Sequence, residues 1–195
     1  RLSEPAQRLL RVLAAGGVCV THELLAAVFD GTPDELDAAA REAVTANLLA
    51  ADSTEYLFRH ALVREAIHAD LLPGERTRYH ARYAEALEVS PQRSAVQLSA
   101  HWLAAHDVRR AFLASLEAME EAKRSYAYAT VAAMGDRVLE LWDGVPDAEV
   151  LSGSDRVAVL AQTASALRNA GNNERALALV EAALAEADEL PPSRR

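Results

Sequence analysis

One stretch decides the fold of this chain: Tyr56-Leu57-Phe58-Arg59-His60-Ala61-Leu62-Val63-Arg64-Glu65-Ala66-Ile67-His68. Before His60 the apolar side chains alternate, which predicts a short strand with Tyr56 and Phe58 on one face. After His60 they recur with the period of a helix that ends at Pro73-Gly74. A strand that runs directly into a helix leaves His60 near the helix N-terminus, where free N–H groups point outward. The apolar residues expected on one face of this helix are Leu62, Val63, Ala66, Ile67 and Leu71.

Three helix-start signals precede this stretch. Ser3, Thr21 and Thr32 each stand directly before an apolar-periodic run, where a hydroxyl side chain can cap the first turn. Glu35 follows Thr32 at the spacing of a capping box. We therefore expect three helices before the hairpin.

Two strand signals lie between and after these helices. Val18-Cys19-Val20 is short and β-branched, and the segments 48–51 and 56–59 flank the polar turn 52–55. The predicted order is therefore helix, strand, helix, helix, hairpin, which is the order of a winged helix. The helix at 61–71 is an addition to that unit.

The letters FRHALVREAI, followed by ADLLPGERTRYHARYAEALE, carry a family resemblance. They resemble the end of the winged-helix segment in the STAND class of bacterial signal-transducing NTPases, and are most similar to the large ATP-dependent LuxR-type regulators. In that family a P-loop NTPase domain comes first, and a winged-helix segment, helical repeats and a C-terminal DNA-binding domain follow. The resemblance is most specific over 58–88 and covers 1–143 more loosely. It implies a middle segment of such a regulator.

From Gly74 onward the periodicity predicts only helices. The first has Tyr79, Tyr83 and Leu87 on one face, the second spans 93–106, and a third opens at Asp107. Further helices are predicted at about 125–142, 154–170 and 173–189, with a loop at 143–153. Small residues recur where paired helices would approach closely, as in tetratricopeptide repeats. They include Ser99, Ala111, Ser115, Ala118, Ala164, Ala176 and Ala183, with Val180 on the same face. The predicted fold class is mainly α, with a winged-helix-like domain and small β-hairpin at 1–73 and an irregular tetratricopeptide-like array at 74–195.

Composition limits the functional classes. The net charge is −9, so phosphate repels the body of the chain. Cys19 is the single cysteine, which fits a reducing compartment, and no apolar run approaches the roughly 20 residues of a membrane span. The chain begins RLSEPAQ, without an initiator Met or a signal-peptide pattern. We expect an excised segment of a cytoplasmic protein.

Motifs for catalysis are missing from the sequence. It contains no G-x-x-x-x-G-K-[ST] phosphate loop, no G-x-S-x-G and no His/Cys pair at metal-ligand spacing. Glu65 and His68 form a single E-x-x-H, whereas di-iron sites need two with further carboxylates. We therefore expect no enzyme, catalytic residue, metal or cofactor in this segment. The resemblance implies that the parent protein binds and hydrolyses ATP.

The resemblance also points to His60. In plant and animal immune NTPases related to this class, the histidine of a Met-His-Asp motif opens a helix of the winged-helix domain and contacts the β-phosphate of ADP. Arg59-His60-Ala61 is similar to that motif, although Ala61 replaces the aspartate. An imidazole beside free helix amides suits an anion. The resemblance thus implies an ADP contact for His60, with a weaker one for Arg59. The alternative is that His60 only packs between hairpin and helix.

Other candidate surfaces have plainer interpretations. In a DNA-binding winged helix the third helix enters the major groove. Here that helix carries four acidic residues, Asp34, Glu35, Asp37 and Glu42, and one basic residue, Arg41. We therefore expect no direct nucleic-acid contact. Arg76, Arg78 and Arg82 are expected to be solvated or paired with Glu75 and Glu85. Two positions are open to the aromatic residues Trp102, Tyr126 and Tyr128: a concave surface of the repeats, or the core, which is the more common one and the one expected here.

Two functions from different classes remain. The first is a non-catalytic regulatory segment of a LuxR-type STAND regulator, coupling nucleotide state to binding and oligomerisation. Its expected partners are the upstream NTPase domain of its own chain, an inducer or partner protein on the helical repeats, and a second copy. The alternative is a free-standing helical scaffold without a nucleotide role. A phosphate-loop domain upstream in the parent gene would discriminate between them.

Overall fold

The computed structural model of this chain describes residues 2–189 and is mainly helical. Helices make up 74% of it, and the described residues form eleven α-helices and one three-stranded antiparallel sheet. The mainly α composition predicted from the sequence is confirmed. The chain divides into two compact units, one ending at Arg93 and taking in Ala104–His106, the other taking in Ser94–Leu103 and continuing from Asp107.

The N-terminal unit follows the predicted order of helix, strand, helix, helix and hairpin. Its elements are α1 (Glu4–Gly16), β1 (Cys19–Thr21), α2 (His22–Val28), α3 (Pro33–Thr45), β2 (Leu49–Ala51), β3 (Glu55–Phe58), α4 (Ala61–Asp70) and α5 (Pro73–Glu88). Because it includes α5, this compact unit extends past the predicted domain boundary at residue 73.

Polar side chains start the first three helices where the sequence places them. The Ser3 and Thr21 hydroxyls accept hydrogen bonds from the backbone N–H groups of Ala6 and Leu24. Thr32 and Glu35 form the predicted capping box, in which each side chain accepts from the other residue's backbone N–H. These bonds satisfy amides that the helix itself leaves unpaired.

The sheet places β3 between β1 and β2, and both pairings are antiparallel. Tyr56 lies opposite Val20 on one side and Ala51 on the other. In the β2–β3 turn the Asp52 carboxylate accepts from the N–H groups of Thr54 (2.8 Å) and Glu55 (2.9 Å). The central strand therefore leads straight out of the hairpin into α4.

A tyrosine joins α5 to α1. Tyr83 is fully buried, and its hydroxyl donates to the Val12 carbonyl at 3.1 Å. Gly16 lies so close to this ring that a methyl group there would overlap the Tyr83 hydroxyl and approach Val20 Cγ2 to 2.7 Å. This close packing explains why α5 belongs to the first unit.

The apolar residues of α4 differ in how far they are buried. Leu62 is 77% exposed and Ala66 is also exposed, whereas Val63 and Ile67 are half-buried and Leu71 is buried. The expectation that these five residues share one face of the helix is therefore wrong. The helix has apolar residues on two faces, and only one of them meets the core, so no residue of α4 is fully buried.

The C-terminal unit is helical throughout its described part. Its elements are α6 (Ala95–Ala104), α7 (Val108–Arg124), α8 (Tyr128–Leu141), a 3-10 turn (Trp142–Gly144), α9 (Ala148–Ser152), α10 (Arg156–Asn169) and α11 (Asn173–Glu189). Residues 143–153 were expected to form a loop, but they include α9. This short helix is stabilised because Val145 and Ala148 are buried in a cluster with Phe112.

Two helix pairs in this unit make the same close contact. Ser99 of α6 meets Ser115 of α7 with 2.7 Å between the hydroxyl oxygens. Gly135 of α8 lies against Thr163 of α10, whose methyl carbon would be 3.0 Å from a Cβ at Gly135.

The two pairs also match along the sequence. Gly135 follows Ser99 by 36 residues, while Thr163 follows Ser115 by 48. The additional 12 residues accommodate the segment that contains α9. In both pairs the hydroxyl of the second helix donates to a carbonyl four residues earlier: Ser115 to Ala111 at 2.7 Å, and Thr163 to Val159 at 2.8 Å.

Replacing Gly16 with alanine tests the α1–α5 contact. Alanine favours helix by up to about 1 kcal/mol, but the added methyl group overlaps a buried ring that has no room to move. Overpacking of this kind costs about 1–3 kcal/mol. We expect Gly16→Ala to lower the free energy of unfolding, measured by urea denaturation.

Gly74→Ala is the matched control. Gly74 lies in the first turn of α5, and nothing approaches its missing Cβ within 4 Å. The control variant should be neutral or more stable by up to about 1 kcal/mol. Equal stability of the two variants would show that the α1–α5 contact is looser than described.

Candidate functional site

The junction between β3 and α4 presents His60 at a helix N-terminus. His60 is the N-cap residue, with φ −131° and ψ 120°, and no side chain caps this helix. Its carbonyl accepts from Val63 at 3.1 Å and Arg64 at 3.4 Å. His60 is exposed at the start of the helix. The position predicted for His60 is therefore the one observed.

Arg59, the other predicted contact residue, adjoins His60 but has a structural partner. Its Nε donates to the Leu49 carbonyl at 3.1 Å, and its backbone N–H donates to the Leu48 carbonyl at 3.0 Å. Both bonds join the end of β3 to β2. The arginine therefore fixes the geometry from which His60 and α4 begin.

The outer face of α4 carries an apolar stripe. Leu62 is 77% exposed, Ala66 and Ala69 are exposed, and Leu72 just beyond the helix is 67% exposed. These positions recur at three- and four-residue spacing and so lie along one side. Leu62 and Ala66 were predicted to share one face with Val63 and Ile67, so the second apolar face of this helix was not predicted.

The helix α3 has an acidic surface. Asp34, Glu35 and Asp37 are exposed, and Arg41 is also exposed one turn later. Glu42 accepts hydrogen bonds from the Ser3 N–H at 2.7 Å and the Ser3 hydroxyl at 2.5 Å, which lower the pKa of its carboxyl group. A carboxylate held in its charged form on this helix opposes phosphate binding.

A recess beside the α7–α8 turn has tyrosine walls. Tyr126, with φ +56°, is 75% exposed and Tyr128 is 38% exposed, with their ring centroids 6.4 Å apart. The recess has a volume of about 300 Å³ over the buried side chains of Val131 and Ala166. The expectation of a core position is confirmed for Trp102 and wrong for both tyrosines, because the left-handed turn at Tyr126 directs the chain outward.

Lys123 forms the polar rim of this recess. Its Nζ donates to Glu120 Oε1 at 2.6 Å and to Gln162 Oε1 at 2.7 Å, which links α7 to α10. Since its charge is already balanced by Glu120, the recess offers aromatic surface and hydrogen-bonding groups more than a free cation.

Arg78 of α5 is exposed, as expected, whereas Arg76 and Arg82 have partners other than Glu75 and Glu85. Arg82 lies 3.6 Å from Asp30 and donates to the Val28 carbonyl at 3.5 Å, and Arg76 donates to the His68 carbonyl at 3.2 Å. Arg78 stacks over the ring of Tyr79. These contacts tie α5 to α2 and α4, so the arginines act in packing.

The histidines and the cysteine do not form a reactive cluster. Among residues 2–189, no group of three or more His, Cys, Asp or Glu side chains could hold a metal ion. Burial lowers the pKa of His101 to about 4. The Cys19 thiol donates to Glu55 Oε2 at 2.8 Å, and this bond to a carboxylate raises the pKa of Cys19 to about 11. A thiol held protonated is a poor nucleophile.

Comparisons with models of protein families, with curated proteins and with solved structures gave no match to this chain. Within residues 2–189, none of the helices combines the length and apolar character needed to cross a membrane.

The reactivity of Cys19 tests the geometry of the β1–β3 edge. A pKa near 11 reduces the thiolate fraction at pH 8, so alkylation should be about tenfold or more slower than for a free thiol. Glu55→Gln removes the negative acceptor, lowers the pKa and should speed the reaction. Because Cys19 is the single cysteine, iodoacetamide labelling followed by mass spectrometry reports on this site alone.

Glu23→Gln serves as the control for this labelling, because Glu23 is an exposed glutamate of the same unit that does not hold the thiol. Its labelling rate should equal that of the wild type. A Glu55→Gln variant that reacts no faster than Glu23→Gln would show that the thiol–carboxylate bond does not form in solution.

Proposed function

We propose that this chain is a non-catalytic regulatory segment of a large ATP-dependent regulator of the LuxR type. In this role its N-terminal unit is a winged helix that senses the nucleotide held by a neighbouring NTPase domain. Its C-terminal unit is a tetratricopeptide-like array that binds an inducer, a partner protein or another copy. The nucleotide is ADP or ATP and belongs to the parent protein, located in the cytoplasm.

The order and pairing of elements support the winged-helix part of this proposal. Three helices, a short first strand and a β2–β3 hairpin occur in the expected order, and β3 lies between β1 and β2. The acidic surface of α3 favours a protein-contacting role over a DNA-contacting one.

The matched contacts of the C-terminal unit support the repeat part. Small residues bring α6 to α7 and α8 to α10 at equivalent positions, spaced 36 residues apart on the first helices. A spacing of about 34 residues is that of tetratricopeptide repeats. The sequence paired α10 with α11, and these two helices also pack against each other.

The observation that carries the nucleotide role is the exposed imidazole of His60 at the uncapped N-terminus of α4. The N-terminal end of a helix favours an anion, and an imidazole N–H adds one charge-assisted hydrogen bond. The apolar stripe of α4 begins beside His60. A protein surface that packs against this stripe would bring a bound phosphate to His60.

A second function, a helical scaffold without a nucleotide role, is favoured by the tyrosine recess. Exposed aromatic side chains over an apolar floor are typical of surfaces that bind partners. This function uses the C-terminal unit alone. An in-frame phosphate-loop domain upstream of residue 1 in the gene would favour the regulator over the scaffold.

His60→Ala in the complete regulator tests the proposed function. A lost hydrogen bond to a charged group costs about 1.5–3 kcal/mol, so ADP affinity should fall roughly tenfold or more and the regulator should shift toward its active state. His60→Gln, which keeps an N–H donor, should retain part of the affinity. ADP retention and reporter expression are the measurements.

Thermal melting separates this role from a packing role. His60 is exposed, so His60→Ala should melt within about 2 °C of the wild type, as expected for a surface substitution. A variant that melts early but retains ADP normally would contradict the proposal and would assign His60 to packing.

A further inference from the structure

Tyr126 adopts a backbone conformation that a tyrosine rarely takes. It lies just after α7 with φ +56°. The Ala127 N–H donates to the Ala122 carbonyl at 2.9 Å, and the Tyr126 N–H donates to the Lys123 carbonyl at 3.1 Å. This pair of bonds is the Schellman motif, whose left-handed residue is usually glycine. A bulky side chain in this conformation is strained because its Cβ crowds the backbone.

The end of α10 forms the same turn with glycine. The Asn172 N–H donates to the Leu167 carbonyl at 2.9 Å. The Gly171 N–H donates to the Arg168 carbonyl at 3.0 Å, and Gly171 has φ +87° without steric cost. Burial does not offset the strain at Tyr126, since this residue is 75% exposed. Strain that packing does not offset is typical of functional positions.

The strained tyrosine is one wall of the recess beside the α7–α8 turn. Tyr128 is the second wall, with its ring centroid 6.4 Å from that of Tyr126 and its plane tilted by 66°. The floor is formed by the buried side chains of Val131 and Ala166, and the volume is about 300 Å³. Two tilted rings over an apolar floor fit a compact, rigid ring, which loses little conformational freedom on binding.

The rim of the recess presents hydrogen-bond donors. Lys123 donates to Gln162 Oε1 at 2.7 Å, so the other end of this amide, its NH₂ group, is left to donate. Among the described residues, neither this NH₂ group nor the side-chain amide of Asn169 has a hydrogen-bond partner, and both side chains line the recess. Since Glu120 balances the charge of Lys123, the rim suits an uncharged ligand with carbonyl acceptors.

A proline-rich segment in the polyproline II conformation has both features. Its pyrrolidine rings are rigid and pack on aromatic side chains. Its prolines have no N–H, so its backbone presents carbonyl acceptors alone. The spacing also agrees, because Gln162 and Asn169 are seven residues apart on α10, which is about 10 Å along the helix axis. Three residues of polyproline II span about 9 Å.

We propose that the recess between Tyr126, Tyr128 and α10 binds a proline-rich segment of a partner protein. One proline ring lies between the two tyrosine rings, and carbonyl groups on either side of it accept from Gln162 and Asn169. This inference rests on the second proposed function, the scaffold, and names the kind of partner it binds. It does not involve His60, so the ADP measurements and the peptide measurements can fail independently.

Fluorescence anisotropy of a labelled, capped hexaproline peptide tests the proposal with the 195-residue chain. The anisotropy should rise with protein concentration and reach a plateau. A labelled peptide of the same length, alternating glycine and serine, keeps the carbonyl groups but has no rings and no preformed conformation. Its dissociation constant should be at least about tenfold higher. Unlabelled N-acetylproline amide, with a single ring, should displace hexaproline only at far higher concentration.

Tyr126→Gly separates binding from folding. The glycine relieves the left-handed strain, so the variant should melt no earlier than the wild type and up to about 4 °C later. It also removes one wall, so the dissociation constant for hexaproline should rise at least about tenfold. His106→Gly is the matched control, because His106 is exposed and left-handed, with φ +61°, but does not line the recess. The control should bind hexaproline as the wild type does.

Gln162→Glu tests the donor rim. The glutamate keeps an acceptor for Lys123, but it removes the NH₂ donor and places a carboxylate beside the peptide carbonyl. The dissociation constant should therefore rise about fivefold or more. Gln97→Glu is the control for the added charge, because Gln97 is exposed on α6 and does not line the recess. This control should leave the affinity unchanged.

Four outcomes would overturn the proposal. Hexaproline binding no tighter than the glycine–serine peptide would show that the recess does not select proline rings. Equal affinity for N-acetylproline amide would assign the recess to a small molecule. A Tyr126→Gly variant that melts earlier than the wild type would assign the ring to folding. Unchanged affinity in both Tyr126→Gly and Gln162→Glu would place the peptide elsewhere.

Discussion

The close approach of helices through small residues is the constraint on which this structure depends. Only 5% of the residues are aromatic, so the chain fills its cores mainly with alanine, leucine and valine. Such side chains bury apolar surface well only when helix backbones come close together. The contacts of Gly16 with Tyr83, Ser99 with Ser115 and Gly135 with Thr163 provide that approach. At Gly16 and Gly135 there is no room for one more methyl group.

Close packing on one side of a helix leaves other helix faces uncovered. The face of α8 around Gly135 is covered by α10, whereas Leu177 and Leu184 of α11 are exposed. In the N-terminal unit, α4 follows the central strand directly, and only one of its two apolar faces reaches the core. The uncovered faces are the features from which a regulatory role in contact with other proteins is inferred.

Local signals were sufficient to predict the helix starts, the hairpin and the position of His60, because a cap or a change of period involves only a few neighbouring residues. Tertiary features were not predictable in this way. Leu62 and Val63 adjoin on α4, and which of them faces the core depends on contacts with α1. The outward position of Tyr126 depends on a left-handed turn without glycine. The pairing of α8 with α10 was missed because the segment containing α9 interrupts the repeat spacing.

The stability of a double variant tests the central claim most directly. Gly135→Ala should cost about 1–3 kcal/mol because its methyl group meets Thr163. Adding Thr163→Ala should recover much of that loss. The free energy of unfolding of the double variant should therefore exceed the value expected from adding the two single effects by about 1 kcal/mol or more. Thr163→Ser, which keeps the hydroxyl, should recover little. Strictly additive free energies of unfolding in Gly135→Ala/Thr163→Ala would contradict the account that this contact sets the spacing of the helices.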